Sequence, residues 1–252
     1  MENNNVSIPK TLAALTALFR ADIATQLSNR RSVIITLLVP VMILISWKGL
    51  AGKFGGPYVL SSAIGIGLIS IGLMGYSLAL ARDRDKGIFQ RLRVAPVPAW
   101  AIMLSRIGIQ LLMIMILNLV IFVVGMQVDK ITLSASGYII AFFVAFLGGA
   151  VYLSLGQLIV GLVKSFETVN ATIRLVYFLF MMIGMFGEIG FLGEYVKTGV
   201  HWSPYGTVKL MLAASMNPLT WNSDATTSVL LSLGYTVVFT TIGISKFKWS
   251  TK

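Results

Sequence analysis

The chain has 252 residues, of which 56% are hydrophobic and only 12% carry a charge, whereas about 25% are charged in soluble globular domains. This composition excludes a soluble domain and indicates an all-α integral membrane protein, because several apolar runs reach the roughly 20 residues with which a helix crosses a bilayer. The net charge of +11 is explained by basic cytoplasmic loops without nucleic acid as a partner, and the absence of cysteine excludes disulfides and thiolate chemistry.

Residues 10–31 are predicted to form a helix that lies on the membrane surface. At about 100° per residue, one face of this helix carries its larger apolar side chains, which are Leu12, Leu15, Phe19, Ile23 and Leu27. Basic residues such as Arg20 and Arg30 suit lipid headgroups. An ordinary cytoplasmic helix is the alternative, because Thr16 and Gln26 lie on the same face as the apolar residues.

Six membrane spans follow this helix. The first four are predicted at about residues 32–47, 58–81, 99–126 and 138–163. The fifth ends near residue 186, and the sixth is predicted at about residues 225–244. Six spans place both termini on one side, and that side receives fifteen of the 20 Lys and Arg residues. Because basic residues favour the cytoplasmic side, both termini are predicted to be cytoplasmic. The protein itself is predicted to lie in the cell membrane. Close helix packing is predicted in the fourth span, at Gly148, Gly149, Gly156 and Gly161.

Residues 82–98, between the second and third spans, form what we call the charged loop. It holds five of the 20 basic residues and two of the nine acids. Asp83 or Asp85 is predicted to cap a short helix that ends before Pro96, because a residue before proline avoids helical geometry, and Pro98 fixes the start of the third span. The apolar strip of that helix consists of Ile88, Phe89 and Leu92. Arg106 and Arg174, in the adjoining spans, are predicted to snorkel to the headgroups.

Residues 187–224 are rich in glycine and proline and too broken for a full span. Two short helices, at about 189–200 and 205–216, are predicted to form a re-entrant or interfacial hairpin on the outer side, where protein or a wet cavity must cover irregular backbone. The candidate residues for an outer gate or exit are Glu188, Glu194, Pro204 and Pro218. The alternative for the two acids is simple solvation among the headgroups.

Three blocks follow one another in the charged loop. They are Arg82-Asp83-Arg84-Asp85-Lys86-Gly87, Ile88-Phe89-Gln90-Arg91-Leu92-Arg93 and Ala95-Pro96-Val97-Pro98. This order, together with the six-span layout, resembles the permease subunits of type-2 ABC exporters, and Asn217-Pro218-Leu219-Thr220 is similar to the Asn-Pro-rich segment that precedes their last span. Gln90 and Ala95 depart from the acid and the threonine that are frequent at these positions in that family.

The resemblance implies that residues 1–252 form a single permease domain. Two such subunits, as a homodimer or heterodimer, would form the substrate pathway, and two cytoplasmic ABC ATPase subunits would hydrolyse ATP with Mg²⁺. The charged loop and the N-terminal helix would fit into a groove on the ATPase. The predicted coupling residues are Arg82, Asp83, Arg84, Asp85, Lys86, Gly87, Ile88, Phe89, Arg91, Leu92, Pro96 and Pro98. The exported substrate would be an amphipathic drug, antibiotic, peptide or lipid-like molecule.

The chain is predicted to have no catalytic activity and to bind no cofactor or metal. Gly156-x-x-x-x-Gly161 lacks the following Lys-Ser/Thr of a phosphate loop, and no catalytic constellation stands in plausible register. A gradient-driven transporter or channel is an alternative, although few acids or histidines lie within the spans and the halves show no inverted repeat. A membrane protein that sequesters a toxin or scaffolds a complex is a further alternative.

Overall fold

The computed structural model describes residues 11–28, 30–93, 99–187 and 193–247. Within these ranges the protein is almost entirely helical and has no strand. The α-helices are α1 (Thr11–Ser28), α2 (Arg30–Ser46), α3 (Ala51–Phe54), α4 (Gly56–Ile69), α5 (Leu78–Asp85), α6 (Ile88–Arg93), α7 (Ala99–Asp129), α8 (Ala135–Leu162), α9 (Phe166–Met182), α10 (Glu194–Trp202), α11 (Pro204–Met216) and α12 (Ser223–Lys246). The remaining helical segments are π-helices at Ser70–Ser77 and Ile183–Gly187 and a 3-10 helix at Pro218–Thr220.

Four helical stretches in the described ranges are long and apolar enough to cross a membrane. They are Gly56–Asp85, Ala101–Asp129, Ala135–Leu162 and Ser223–Lys246. Ala13–Ser28 and Val33–Ser46 meet at an angle of 64°, as a broken span or a re-entrant segment. The chain is therefore an all-α, multi-pass membrane protein, as the composition predicted, while the count of six spans stays a prediction.

The second predicted span is the central helix of the bundle. α4, the π-helical segment and α5 run continuously over Gly56–Asp85, and nearly every residue of α4 is buried. The π-helical turn in the middle of the span was not predicted from the sequence. Within it the Ser77 hydroxyl donates to the Gly72 carbonyl at 2.7 Å, and π-helical segments of this kind are often found at functional sites.

Glycines bring α8 close to its neighbours, which confirms the packing predicted for the fourth span. A Cβ atom on Gly148, Gly149, Gly156 or Gly161 would lie closer than 3.0 Å to a neighbouring helix. At Gly161 the obstacle is the backbone of Gly243 in α12. Small residues at such positions let helix backbones approach, and α8 thereby packs against both the central helix and α12.

The segment that follows α9 turns back into the bundle. Tyr152 lies 17 residues into α8, or about 25 Å along it, and its hydroxyl is 3.5 Å from the carbonyl of Pro204 at the start of α11. At the other end of α11, the Met216 carbonyl lies against Gly137 at the start of α8. α11 therefore runs from the interior of the bundle to the end where α8 begins.

The bounds of the two hairpin helices differ slightly from the predicted ones. α10 begins at Glu194 and ends at Trp202, against a predicted range of 189–200, and residues 188–192 lie outside the described ranges. α11 starts one residue before the predicted range of 205–216, at Pro204. The depth of this segment in a bilayer stays a prediction.

Gly156→Ala is expected to destabilise the protein, because the added methyl group would collide with the Ser77 hydroxyl and the Gly72 carbonyl. Overpacking of this kind costs about 1–3 kcal/mol and should lower the thermal unfolding midpoint of the purified protein. Gly234→Ala is the matched control, since a Cβ there has no neighbour within 4 Å. Equal midpoints for the two variants would contradict the close helix contact.

Candidate functional site

The charged loop begins inside a helix and then turns sharply. Asp83 and Asp85 lie in the last turns of α5, so the prediction that one of them caps the short helix is wrong. Gly87 instead separates α5 from α6 with a φ of +66°, which glycine adopts without the steric cost that other residues incur. Pro96 and Pro98 lie outside the described residues.

Arg84 is the buried anchor of the charged loop, with 2% of its surface exposed. Its Nη1 donates to the Val160 carbonyl at 2.5 Å, and its Nη2 donates to the carbonyls of Val163 and Lys164 at 2.8 and 2.7 Å. These carbonyls lie in the last turn of α8 and directly after it. Carbonyls at the end of a helix lack intrahelical donors, and the helix dipole favours a cation there. Arg84 thus fixes the loop to the end of α8.

A second anchor joins three helices through one guanidinium group. Arg106 in α7 pairs through Nη1 with Asp83 of α5, and its Nε lies 3.7 Å from Asp22 in α1. The Ser105 hydroxyl donates to Asp22 at 2.6 Å. The prediction that Arg106 snorkels to the headgroups is therefore wrong. Asp22 was also not predicted as a site residue. It could have been noticed from the sequence, because it is the single acid in residues 10–31.

Aromatic contacts complete the attachment of the loop. Phe89 is 1% exposed, and its ring meets that of Phe247 edge-on at a centroid distance of 5.8 Å. The Arg82 guanidinium carbon lies 6.0 Å from the centre of the Phe166 ring, within the range of a cation-π contact. The loop is consequently held against the residues that follow α12 and the start of α9.

The predicted coupling residues divide into an inner and an outer set. Arg84 and Phe89 are buried, and Asp83, Gly87 and Ile88 are half-buried, whereas the exposed positions are Arg82, Asp85 and Lys86, together with Gln90. Arg91 and Leu92 lie in α6, but their side chains fall outside the described residues. The inner set includes the anchors Arg84 and Phe89, and the outer set lies at the surface, where Arg82 also contacts the Phe166 ring.

A cleft of about 350 Å³ separates α1 from the charged loop. Asp22 and Gln26 line it on the α1 side, and Arg82 and Lys86 line it on the loop side. Arg106 of α7 also lines the cleft. The two segments predicted to meet a partner therefore face each other across open space.

The predicted outer-gate residues do not form one cluster. Pro204 and Pro218 lie at opposite ends of α11, about 20 Å apart for a helix of 13 residues. Glu194 is exposed at the start of α10 and pairs with Lys197 at 3.3 Å. Glu188 lies outside the described residues.

Lys209 of α11 is a buried cation whose burial was not predicted from the sequence. It is 4% exposed, and its Nζ lies 3.4 Å from the centre of the Tyr58 ring. Charged residues within a membrane bundle are costly unless they are paired in this way.

No group of three potential metal ligands occurs in the part of the chain that the structure describes.

A family model described as ABC-2 type transporter matches residues 13–208. The matched region begins in α1 and ends within α11, so it includes the charged loop and the whole central helix. No curated protein matches the chain.

Arg84→Ala is expected to reduce the free energy of unfolding by about 2 kcal/mol, the typical contribution of a hydrogen bond to a charged group. The variant removes the donors that the carbonyls at the end of α8 receive from Arg84. Thermal unfolding of the purified protein measures the loss. Lys86→Ala is the control, since it removes an exposed cation two residues away. A stability of Arg84→Ala equal to that of Lys86→Ala would show that the anchor is dispensable.

Proposed function

The chain belongs to the ABC-2 type transporter family, and from this premise we propose that it is the membrane subunit of an ATP-driven exporter. Two such subunits form the substrate pathway, and two separate cytoplasmic ATPase subunits hydrolyse ATP with Mg²⁺. The chain itself is a transport subunit and not the catalyst. The family match supports the transport role, and the geometry of the charged loop supports the coupling to an ATPase.

The observation that carries the proposal is that the described part of the charged loop, residues 82–93, has buried contacts on one side and exposed residues on the other. Arg84 and Phe89 attach it to the ends of other helices, while Asp85, Lys86 and Gln90 remain exposed. A short helix held in this way transmits displacement to the spans on either side, as a flexible loop cannot. Exposed charges of both signs suit a partner of complementary charge.

The substrate pathway would open on the side opposite the charged loop. α11 runs from the interior to the end of the bundle where α8 begins, whereas Arg84 lies where α8 ends. In this proposal residues 187–224, which include Glu188, Glu194, Pro204 and Pro218, form the outer gate. The exported substrate is an amphipathic drug, antibiotic, peptide or lipid-like molecule, and its export would confer antibiotic resistance where the substrate is a drug.

The wild-type protein is expected to retain its cognate ATPase during purification, and a variant with Arg91→Glu and Leu92→Asp is expected to lose it. Both changes alter α6, which we propose as the docking helix. The measurement is the amount of ATPase that co-purifies from detergent. A variant with Lys197→Glu and Leu219→Asp is the matched control, since both residues are exposed and lie outside the charged loop.

The three outcomes have different meanings. Loss from the α6 variant alone supports the proposal. If even the wild type retains no ATPase, the ATPase-driven mechanism is abandoned. Retention by every variant would leave an exporter whose docking surface lies elsewhere than α6.

The proposed orientation predicts which residues are reached from outside the cell. The chain has no cysteine of its own, so a single introduced thiol can be labelled without background. Tyr195→Cys, at a position that is 97% exposed, should react with a membrane-impermeant maleimide in intact cells. Gln90→Cys, also exposed, should react only after the cells are permeabilised, and the reverse pattern would contradict a cytoplasmic charged loop.

A further inference from the structure

α1 and the charged loop are attached to the same short stretch of α7. On one side, the Phe19 ring of α1 packs so closely on Gly108 that a Cβ there would lie 2.9 Å from it, and Asp22 accepts from Ser105. On the other side, Asp83 pairs with Arg106. The first turns of α7 therefore position both segments, although the cleft keeps the segments apart.

Arg106 reaches both of them at once. Its Nη1 faces Asp83 and its Nε faces Asp22, and a guanidinium group can serve two carboxylates because its five N–H donors point in fixed, different directions. All three side chains are largely withdrawn from solvent, with 15–21% of each exposed. A pair at this burial is screened less than one at the surface.

We propose that Arg106 is a positioning residue that sets the distance between α1 and the charged loop, so that the two segments move as one body. This inference rests on the proposed function, in which both segments contact the ATPase. A displacement of either segment is then passed to the other across the cleft through one side chain. Without Arg106, two carboxylates would face each other without a cation, and α1, still attached to α7 through Phe19 and Ser105, would lose its shared contact with the loop.

The spacing can be measured on the permease alone. Spin labels at Ala24→Cys and Gln90→Cys, two exposed positions on either side of the cleft, report the distance by pulsed electron paramagnetic resonance. The wild-type background should give one narrow distribution, and Arg106→Gln should broaden it. Arg174→Gln is the matched control and should leave the distribution narrow, because Arg174 is exposed on α9 and donates to Asn170, four residues earlier in the same helix.

Coupling is measured with the cognate ATPase in proteoliposomes. Arg106→Gln should still retain the ATPase but lower the permease-dependent rate of ATP hydrolysis about tenfold, which corresponds to about 1.4 kcal/mol in the activation barrier. Arg106→Lys should partly restore both the narrow distance distribution and the rate of ATP hydrolysis. A lysine keeps the positive charge but lacks the planar guanidinium group that serves two carboxylates. A purely structural role for Arg106 would instead reduce the amount of folded protein and leave the rate per complex unchanged.

Asp22→Asn is a second variant in case Arg106→Gln does not fold. It retains an oxygen for Ser105 and leaves the Arg106–Asp83 pair intact, and it should also broaden the distribution. A narrow distribution in Asp22→Asn and Arg106→Gln, or a broad one with a normal rate of hydrolysis, overturns the inference. If the wild type binds no ATPase, the proposed function fails, while the distance measurement still decides whether Arg106 sets the spacing.

Discussion

The position of the charged loop depends first on the contact between Arg84 and the end of α8. The end of an α-helix leaves carbonyls without intrahelical donors, and side chains can satisfy them. Arg84 brings two nitrogen atoms to three such carbonyls. The same side chain that completes α8 therefore fixes where α5 ends and where α6 begins.

The second constraint is the close approach of α8 to the central helix. Gly72 and Gly156 bring the two backbones together, so a shift of one helix is passed directly to the other. Arg84 joins the same two helices again near the end of α8. The central helix and α8 are therefore in contact at two places along their length. Further along α8, Tyr152 lies beside Pro204 at the inner end of α11. α8 therefore contacts both the charged loop, through Arg84, and the start of α11.

Charge in this protein has two separate uses. Arg84, Arg106 and Asp83 are turned inward and hold helices together, whereas Asp85 and Lys86 remain at the surface. The charged loop therefore combines side chains that serve the internal structure, such as Asp83 and Arg84, with exposed ones such as Asp85 and Lys86. Under the proposed function, a substitution in the loop would impair transport through the fold where the side chain is buried and through the ATPase contact where it is exposed.

The sequence by itself determined the membrane class, the helical stretches, the glycine contacts of α8 and the position of the charged loop, because hydropathy and small-residue spacing are local properties of the chain. It did not reveal the π-helical turn, the role of Gly87, the burial of Lys209 or the Asp22–Arg106–Asp83 group. Arg84 and the Val160 carbonyl lie 76 residues apart along the chain, and Asp22 and Ser105 lie 83 apart. Only the tertiary structure brings such groups together, because the partner of a charge is chosen by helix packing and not by its neighbours in sequence.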